Sequence, residues 1–241
     1  MAHKIIIASG KGGVGKSSST VCLARALTAR GKRVLVMDFD IGLRSADLLL
    51  GVSAQVVFDW GDVLTRRCDP QRAFLEPEPN LLFISAPAHF QQSFSAESVQ
   101  TMVEILNSSF HYILLDAPAG MQNGFQLAAA AADSALLVST PDEVCVRSAN
   151  KAAHALAELG VAHQRLLLNR LRKRSVFQGK QLNIDQAIDA TAVQLLGVIP
   201  EDAFVTDNLA HGLPLPKNSP AGQAYARIAA RLLGENIPLV V

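Results

Sequence analysis

A run of glycines broken by two lysines, Ser9-Gly10-Lys11-Gly12-Gly13-Val14-Gly15-Lys16-Ser17, follows an apolar stretch at residues 4–8 and precedes a helix-patterned segment at residues 16–30. A strand must run into a tight loop, and the loop must open directly into a helix. The spacing of Gly10, four residues, then Gly15, Lys16 and Ser17 fits the pattern G-x-x-x-x-G-K-[ST]. Glycines at positions 10, 12, 13 and 15 let the backbone take positive φ and come close to a ligand. Their turned N–H groups form a concave anion nest, and the helix start adds free N–H groups and a positive dipole end. In such a cradle Gly12, Gly13, Val14, Gly15, Lys16, Ser17 and Ser18 are candidate nucleotide-contacting positions. Lys16 is suited to β- and γ-phosphate oxygens, and the Ser17 hydroxyl to Mg²⁺.

The rest of the chain repeats the strand–helix alternation. Short apolar runs at residues 4–8, 33–38, 81–85, 112–116, 134–139, 165–169 and 194–199 read as strands. Helical patterns at 16–30, 95–107, 144–159, 184–189 and 221–233 lie among them. This predicts an α/β fold with a doubly wound, mostly parallel sheet flanked by helices. Gly31, Gly160 and Gly234 follow helical patterns as C-terminal stops, and Ser95 is a candidate N-cap. Residues 52–79 are less regular and read as short helices and loops. No linker or compositional break divides the 241 residues, so one domain over 1–241 is expected. Hydrophobic residues make up 49% but aromatics only 5%, so the core must be aliphatic.

A net charge of +1 gives no global field for nucleic acid or membrane. Cys22, Cys68 and Cys145 stand far apart with no C-x-x-C, which fits a reducing cytoplasm. The six histidines show no metal-ligand spacing. The apolar stretch at 127–138 is interrupted by Asp133 and too short to span a bilayer, and no signal peptide is visible at the N-terminus.

Two acidic clusters close strand candidates. Asp38-Phe39-Asp40 ends the second, and Asp116 ends the run Tyr112-Ile113-Leu114-Leu115. A hydrophobic strand ending in Asp holds Mg²⁺ directly or through water when a phosphate loop shares the chain. Asp38 has an alternative reading, as an acid satisfied by backbone N–H groups at a strand end.

The segment from Lys11 to Ser17 resembles the deviant Walker A motif of the MinD/ParA family of ATPases. The segments Asp38-Phe39-Asp40-Ile41-Gly42-Leu43-Arg44 and Asp116-Ala117-Pro118-Ala119-Gly120 are similar to that family's switch I and switch II. The resemblance extends from Lys4 to about Glu235. It implies a P-loop NTPase fold, ATP and Mg²⁺ as ligands, and slow, partner-stimulated hydrolysis. It also implies an ATP-dependent homodimer in which Lys11 reaches the partner's nucleotide. By the same match, Lys16 and Asp40 serve catalysis, Asp40 by positioning the attacking water. Asp38 lies near the magnesium shell with Ser17 and Asp116, and Gly120 faces the γ-phosphate. Asn169, Pro200 and Asp202 belong to the adenine side; an amide such as Asn169 can pair with a base edge, or else form a turn.

Septum-site members of the family imply protein partners of the MinC/MinE type. They also carry a basic amphipathic C-terminal helix. The tail at 236–241 has a proline, no basic residue and too few positions for an interfacial helix, which leaves membrane contact open. The implied location is the cytoplasm, or the inner face of the cell membrane if a C-terminal extension exists. Gln122 stands where the family often has glutamate, which puts a partner contact there in doubt. The basic run Arg170-Leu171-Arg172-Lys173-Arg174 reads as a solvated loop, or as a contact for DNA phosphates or anionic lipid. A ParA-like positioning ATPase acting on DNA or a cargo is therefore a second reading. A nucleotide-sensing scaffold with negligible hydrolysis is a third. Iron–sulfur relatives share the loop but need paired cysteines, which these three positions do not match.

Overall fold

The computed structural model describes residues 1–240. The chain forms, in order, β1 (His3–Ala8), α1 (Lys16–Thr28), β2 (Val34–Asp38), α2 (Ala46–Leu50), α3 (Trp60–Leu64), α4 (Pro70–Ala73), β3 (Leu75–Glu78), β4 (Leu81–Ile84), α5 (Ala96–Leu106), β5 (Tyr112–Asp116), α6 (Asn123–Ala130), β6 (Ser134–Ser139), α7 (Glu143–Glu158), β7 (Gln164–Leu171), α8 (Lys173–Phe177), α9 (Ile184–Thr191), β8 (Leu195–Pro200), α10 (Ala203–Ala210) and α11 (Pro220–Leu232). The sheet order is β3-β4-β2-β5-β1-β6-β7-β8, and all neighbours are parallel except β3 with β4. The mostly parallel α/β expectation holds.

Strand side chains alternate between two helical layers. Ile6 of β1 and Ile113 and Leu115 of β5 enter one core, with Val99 and Val103 of α5 and Phe125 of α6. Ile5 and Ile7 of β1 and Leu114 of β5 enter the other, with Val21 and Leu27 of α1 and Ile228 of α11. Burial on both faces explains why these strands read as continuous apolar runs.

The differences from expectation have local causes. β3 was missed because Pro77 argues against a strand; it is an antiparallel edge strand, where a missing donor is tolerated. α2, α6, α8 and α10 are five to eight residues long, too short for a clear 3.6-residue period. β7 runs two residues beyond the expected end, through Arg170 to Leu171, because Leu171 pairs with Pro200 of β8. The register shift there leaves Arg170 at φ 57. Ser95 caps α5 as expected, and the hydroxyl of Ser98 completes the capping box.

Trp60 ties the irregular segment to the sheet. It is fully buried, stacks on Phe39 at 5.2 Å, meets Phe94 at 4.9 Å, and donates from Nε1 to the Asp38 carbonyl at 2.7 Å. Trp60→Ala removes both the packing and the bond, and a loss of about 3–5 kcal/mol is expected. Trp60→Phe should lose roughly 1–3 kcal/mol by leaving the carbonyl unpaired. Urea unfolding followed by circular dichroism checks both; an unchanged midpoint in Trp60→Phe would show that the indole N–H contributes nothing.

Candidate nucleotide site

The glycine loop leaves the central strand β1 at the carboxyl edge of the sheet, where α/β folds bind ligands. Its glycines divide the work differently from the expectation. Gly13 and Gly15 take positive φ, at 79° and 93°, whereas Gly10 and Gly12 do not. Gly10 is required by close approach: a Cβ there would lie 1.9 Å from the Ser148 carbonyl oxygen on α7. Gly15 is the N-cap of α1, so no cap side chain covers the helix start, and its first turn holds no acid. By contrast α3, α5, α7, α9, α10 and α11 are capped by side chains. α1 and α6 both start without a side-chain cap or a first-turn acid, and the free N–H groups and dipole of α1 open onto the glycine loop, where they remain available to an anion.

Sheet register brings the acids to this point. Asp116 of β5 is level with Ile7 of β1 on one side and Asp38 of β2 on the other. Both carboxylates are fully buried. Lys16 is 8% exposed, and its Nζ lies 3.5 Å from Asp116 Oδ1. The Thr20 hydroxyl, one turn along α1, lies 2.8 Å from the same oxygen. Asp116 Oδ2 is buried with no hydrogen-bond partner among the described residues. Such an atom is costly unless something polar meets it.

A divalent cation or its water is one such partner, so the orphaned oxygen fits an Mg²⁺ site. The described residues contain no group of three or more His, Cys, Asp or Glu that could hold a metal. A cation here would therefore rest on Ser17, a carboxylate and nucleotide phosphates, as hard, water-rich Mg²⁺ sites do.

Asp38 accepts from the backbone N–H of Asp40 at 2.7 Å and of Ala46 at 3.3 Å. The backbone-satisfied reading of Asp38 is thus realised in this state. Asp40 is half-buried at the mouth of the site, with its carboxyl held above the usual range by burial, against the lowering effect of Lys16. Lys11 is exposed and forms no ion pair among the described residues. Gly120, at φ 89, lies in the turn after β5, and a Cβ there would meet nothing within 4 Å.

The residues of the expected adenine side have partners within the fold. Asn169 lies in β7, 7% exposed, and its Nδ2 donates to the Val14 carbonyl at 2.8 Å. A Cβ at Gly15 would fall 2.3 Å from that nitrogen. Asn169 therefore braces the phosphate loop with one of its two amide N–H donors. Pro200 ends β8. Both carboxylate oxygens of Asp202 are committed, one to the Phe204 N–H at 3.1 Å and one to the Ala221 N–H at 2.9 Å. Asp202 thus joins α10 to α11.

The family description "CobQ/CobB/MinD/ParA nucleotide binding domain" matches residues 5–215. The chain belongs to that family. It is a MinD-type ATPase, of the septum site-determining group. It is 36% identical to the septum site-determining protein MinD of Bacillus subtilis over 100% of this chain and 92% of the relative. The MinC:MinD complex of Aquifex aeolicus contains a chain 35% identical, with a TM-score of 0.92, covering 100% of this chain and 99% of its own. A Pyrococcus horikoshii MinD solved with Mg-ADP is 28% identical, with a TM-score of 0.86, covering 98% of this chain and 100% of its own. The described residues contain no helix long and apolar enough to cross a membrane.

Two contacts in this MinD/ParA site were not anticipated. Thr20 could have been found, because i+4 from Lys16 places it on the same helix face. Ser45 could not; its Oγ donates to Ser17 Oγ at 3.0 Å only because the chain folds back after Gly42 and Arg44, both at positive φ. This bond ties the segment after Asp40 to the hydroxyl expected to meet the cation.

Burial, reinforced by the charge of Asp116 and offset by the N–H groups of Asp40 and Ala46, pushes the Asp38 carboxyl up to about 8. The folded protein then holds this proton more tightly than the unfolded chain. The stabilisation is present at low pH and lost as pH rises toward 8. Without nucleotide or Mg²⁺, the urea midpoint should fall from pH 6 to pH 8.5, and Asp38→Asn should flatten that slope. An unchanged slope in Asp38→Asn would place the titration elsewhere.

Proposed function

We propose that this ATPase binds ATP with Mg²⁺, dimerises around the nucleotide, and uses hydrolysis to release the dimer and its partners during septum placement. The observation that carries this reading is the convergence of Lys16, Ser17, Asp38 and Asp116 on the uncapped N-terminus of α1, where the glycine loop ends. The loop N–H groups and Lys16 would hold the β- and γ-phosphates. Ser17, with Asp38 and Asp116 behind it, would hold Mg²⁺, which supplies neutralisation of phosphate charge when bound.

Asp40 is assigned to orienting the attacking water. It sits at the mouth of the site and is only half-buried, which suits a group that must meet solvent. Lys11, exposed and without an ion pair among the described residues, is assigned to the partner subunit's nucleotide, where it would meet phosphate charge across the dimer. Gly120 is assigned to the γ-phosphate, and its backbone has open space around it. The base would lie toward β7 and β8, near Asn169, Pro200 and the backbone of Asp202. The MinC:MinD assembly of a relative supports a MinC-type partner.

A second reading keeps a ParA-like DNA contact, because Arg170, Arg172, Lys173 and Arg174 are all exposed beside α8. Salt-dependent DNA binding that disappears on changing Arg172 and Lys173 would favour it.

Asp40→Ala should bind ATP, lower hydrolysis by about two orders of magnitude and persist as a dimer in light scattering. Lys11→Ala should bind ATP as a monomer. An Asp40→Ala protein that stays monomeric under saturating ATP would sink the dimer mechanism.

A further inference from the structure

A cavity of about 580 Å³ lies at the far end of α1 from the phosphate loop. Its walls come from Cys22 and Ala26 of α1, Ala29 at its C-cap, Tyr225 and Ala226 of α11, and Pro214 of the preceding loop. None of the alanines fills the space, and the volume falls in the range of small-molecule pockets. Burial pushes the Cys22 thiol up to about 12, so it is a neutral, apolar part of the lining.

One buried cation holds the walls together. Arg25 is 9% exposed. It donates to the Glu78 carboxylate at 2.6 Å, to the Gly212 carbonyl at 2.6 Å and to the Leu213 carbonyl at 2.9 Å. Three separate segments (α1, the end of β3 and the loop before α11) are thereby clamped, so the cavity is preformed. The clamp uses the charges of both Arg25 and Glu78. Arg30, also at the wall, is paired with Glu235. That leaves Lys217 as the lining cation with no ion-pair partner among the described residues. The result is an apolar chamber with one free positive charge at its exposed edge.

The chamber shares a helix with the nucleotide site. The bare N-terminus of α1 faces the phosphates, and Ser19 in its first turn is bonded to the Tyr225 hydroxyl at 3.0 Å, with both side chains buried. The Tyr225 ring lines the chamber. A ligand seated there touches the same tyrosine that steadies the helix start.

We infer that this chamber is a binding site for an amphipathic monocarboxylate, its apolar body against α1 and α11 and its carboxylate on Lys217, and that occupancy is coupled to nucleotide affinity through α1. The chemistry is that of a medium-chain fatty carboxylate. Coupling between two sites is reciprocal, so each ligand must change the other's affinity by the same factor.

Decanoate is the probe, titrated calorimetrically into the full chain with and without ADP, with decanol as the uncharged control. One-to-one, saturable binding is expected. Ala226→Trp on α11 and Ala29→Trp at the C-cap of α1, both exposed, should each weaken it by roughly tenfold or more with an unchanged unfolding midpoint. Lys217→Glu should remove the preference for decanoate over decanol. The factor by which decanoate shifts ADP affinity should equal the factor by which ADP shifts decanoate affinity. Absence of saturable binding, or wild-type binding by both tryptophan variants, overturns the site. Equal binding of decanol by the wild type overturns the anion assignment. Decanoate binding with no shift in ADP affinity overturns the coupling.

Discussion

Two buried carboxylates stand side by side at the ends of adjacent parallel strands, and much of the site is arranged around that fact. Strand register makes Asp38 and Asp116 level neighbours. Burying acids next to each other disfavours ionisation, and without compensation it destabilises the fold. Asp38 takes backbone N–H groups from Asp40 and Ala46, which fixes the turn that follows β2. Asp116 takes Thr20 and the ammonium of Lys16 on one oxygen and leaves the other bare. A cation bound there would relieve the repulsion between the pair and meet the bare oxygen together. The protein thus carries an electrostatic strain at the place where a nucleotide–cation ligand can remove it.

The same region is coupled outward by short, specific bonds. Ser45 joins the turn after β2 to Ser17, and Asn169 joins β7 to the loop at Val14. Trp60 joins the irregular segment to Asp38 through the strand-end carbonyl. Tyr225 joins α11 to the first turn of α1. Anything that moves the loop must therefore act on several elements at once. A nucleotide switch needs that property, because a local change in phosphate content must alter surfaces some distance away.

Much of the fold was legible because parallel strands buried on both faces leave unbroken apolar runs. Tyr112–Asp116 and Ser134–Ser139 fall where the sequence pattern put them. The proline-containing edge strand and the short helices escaped because their stability comes from neighbours rather than from local periodicity. At the site, the loop spacing and the strand-ending acids were legible as chemistry. Asn169 and Asp202 were legible as polar groups at or just after strand patterns, but their hydrogen bonds to Val14, Phe204 and Ala221 were not. Those partners lie across the fold or depend on how a helix begins.

The sequence by itself determined the loop, its flanking strand and helix, and the acids that close two strands, because glycine spacing and apolar runs act over a few neighbouring residues. Only the tertiary structure decided that Asp38 and Asp116 are level and that one oxygen is left bare. It alone decided that Gly10 is needed for contact with Ser148, and that a chamber lies behind the helix the loop begins. Register, close approach and enclosed space arise between segments distant in the chain, and local sequence carries no direct record of which segments will meet.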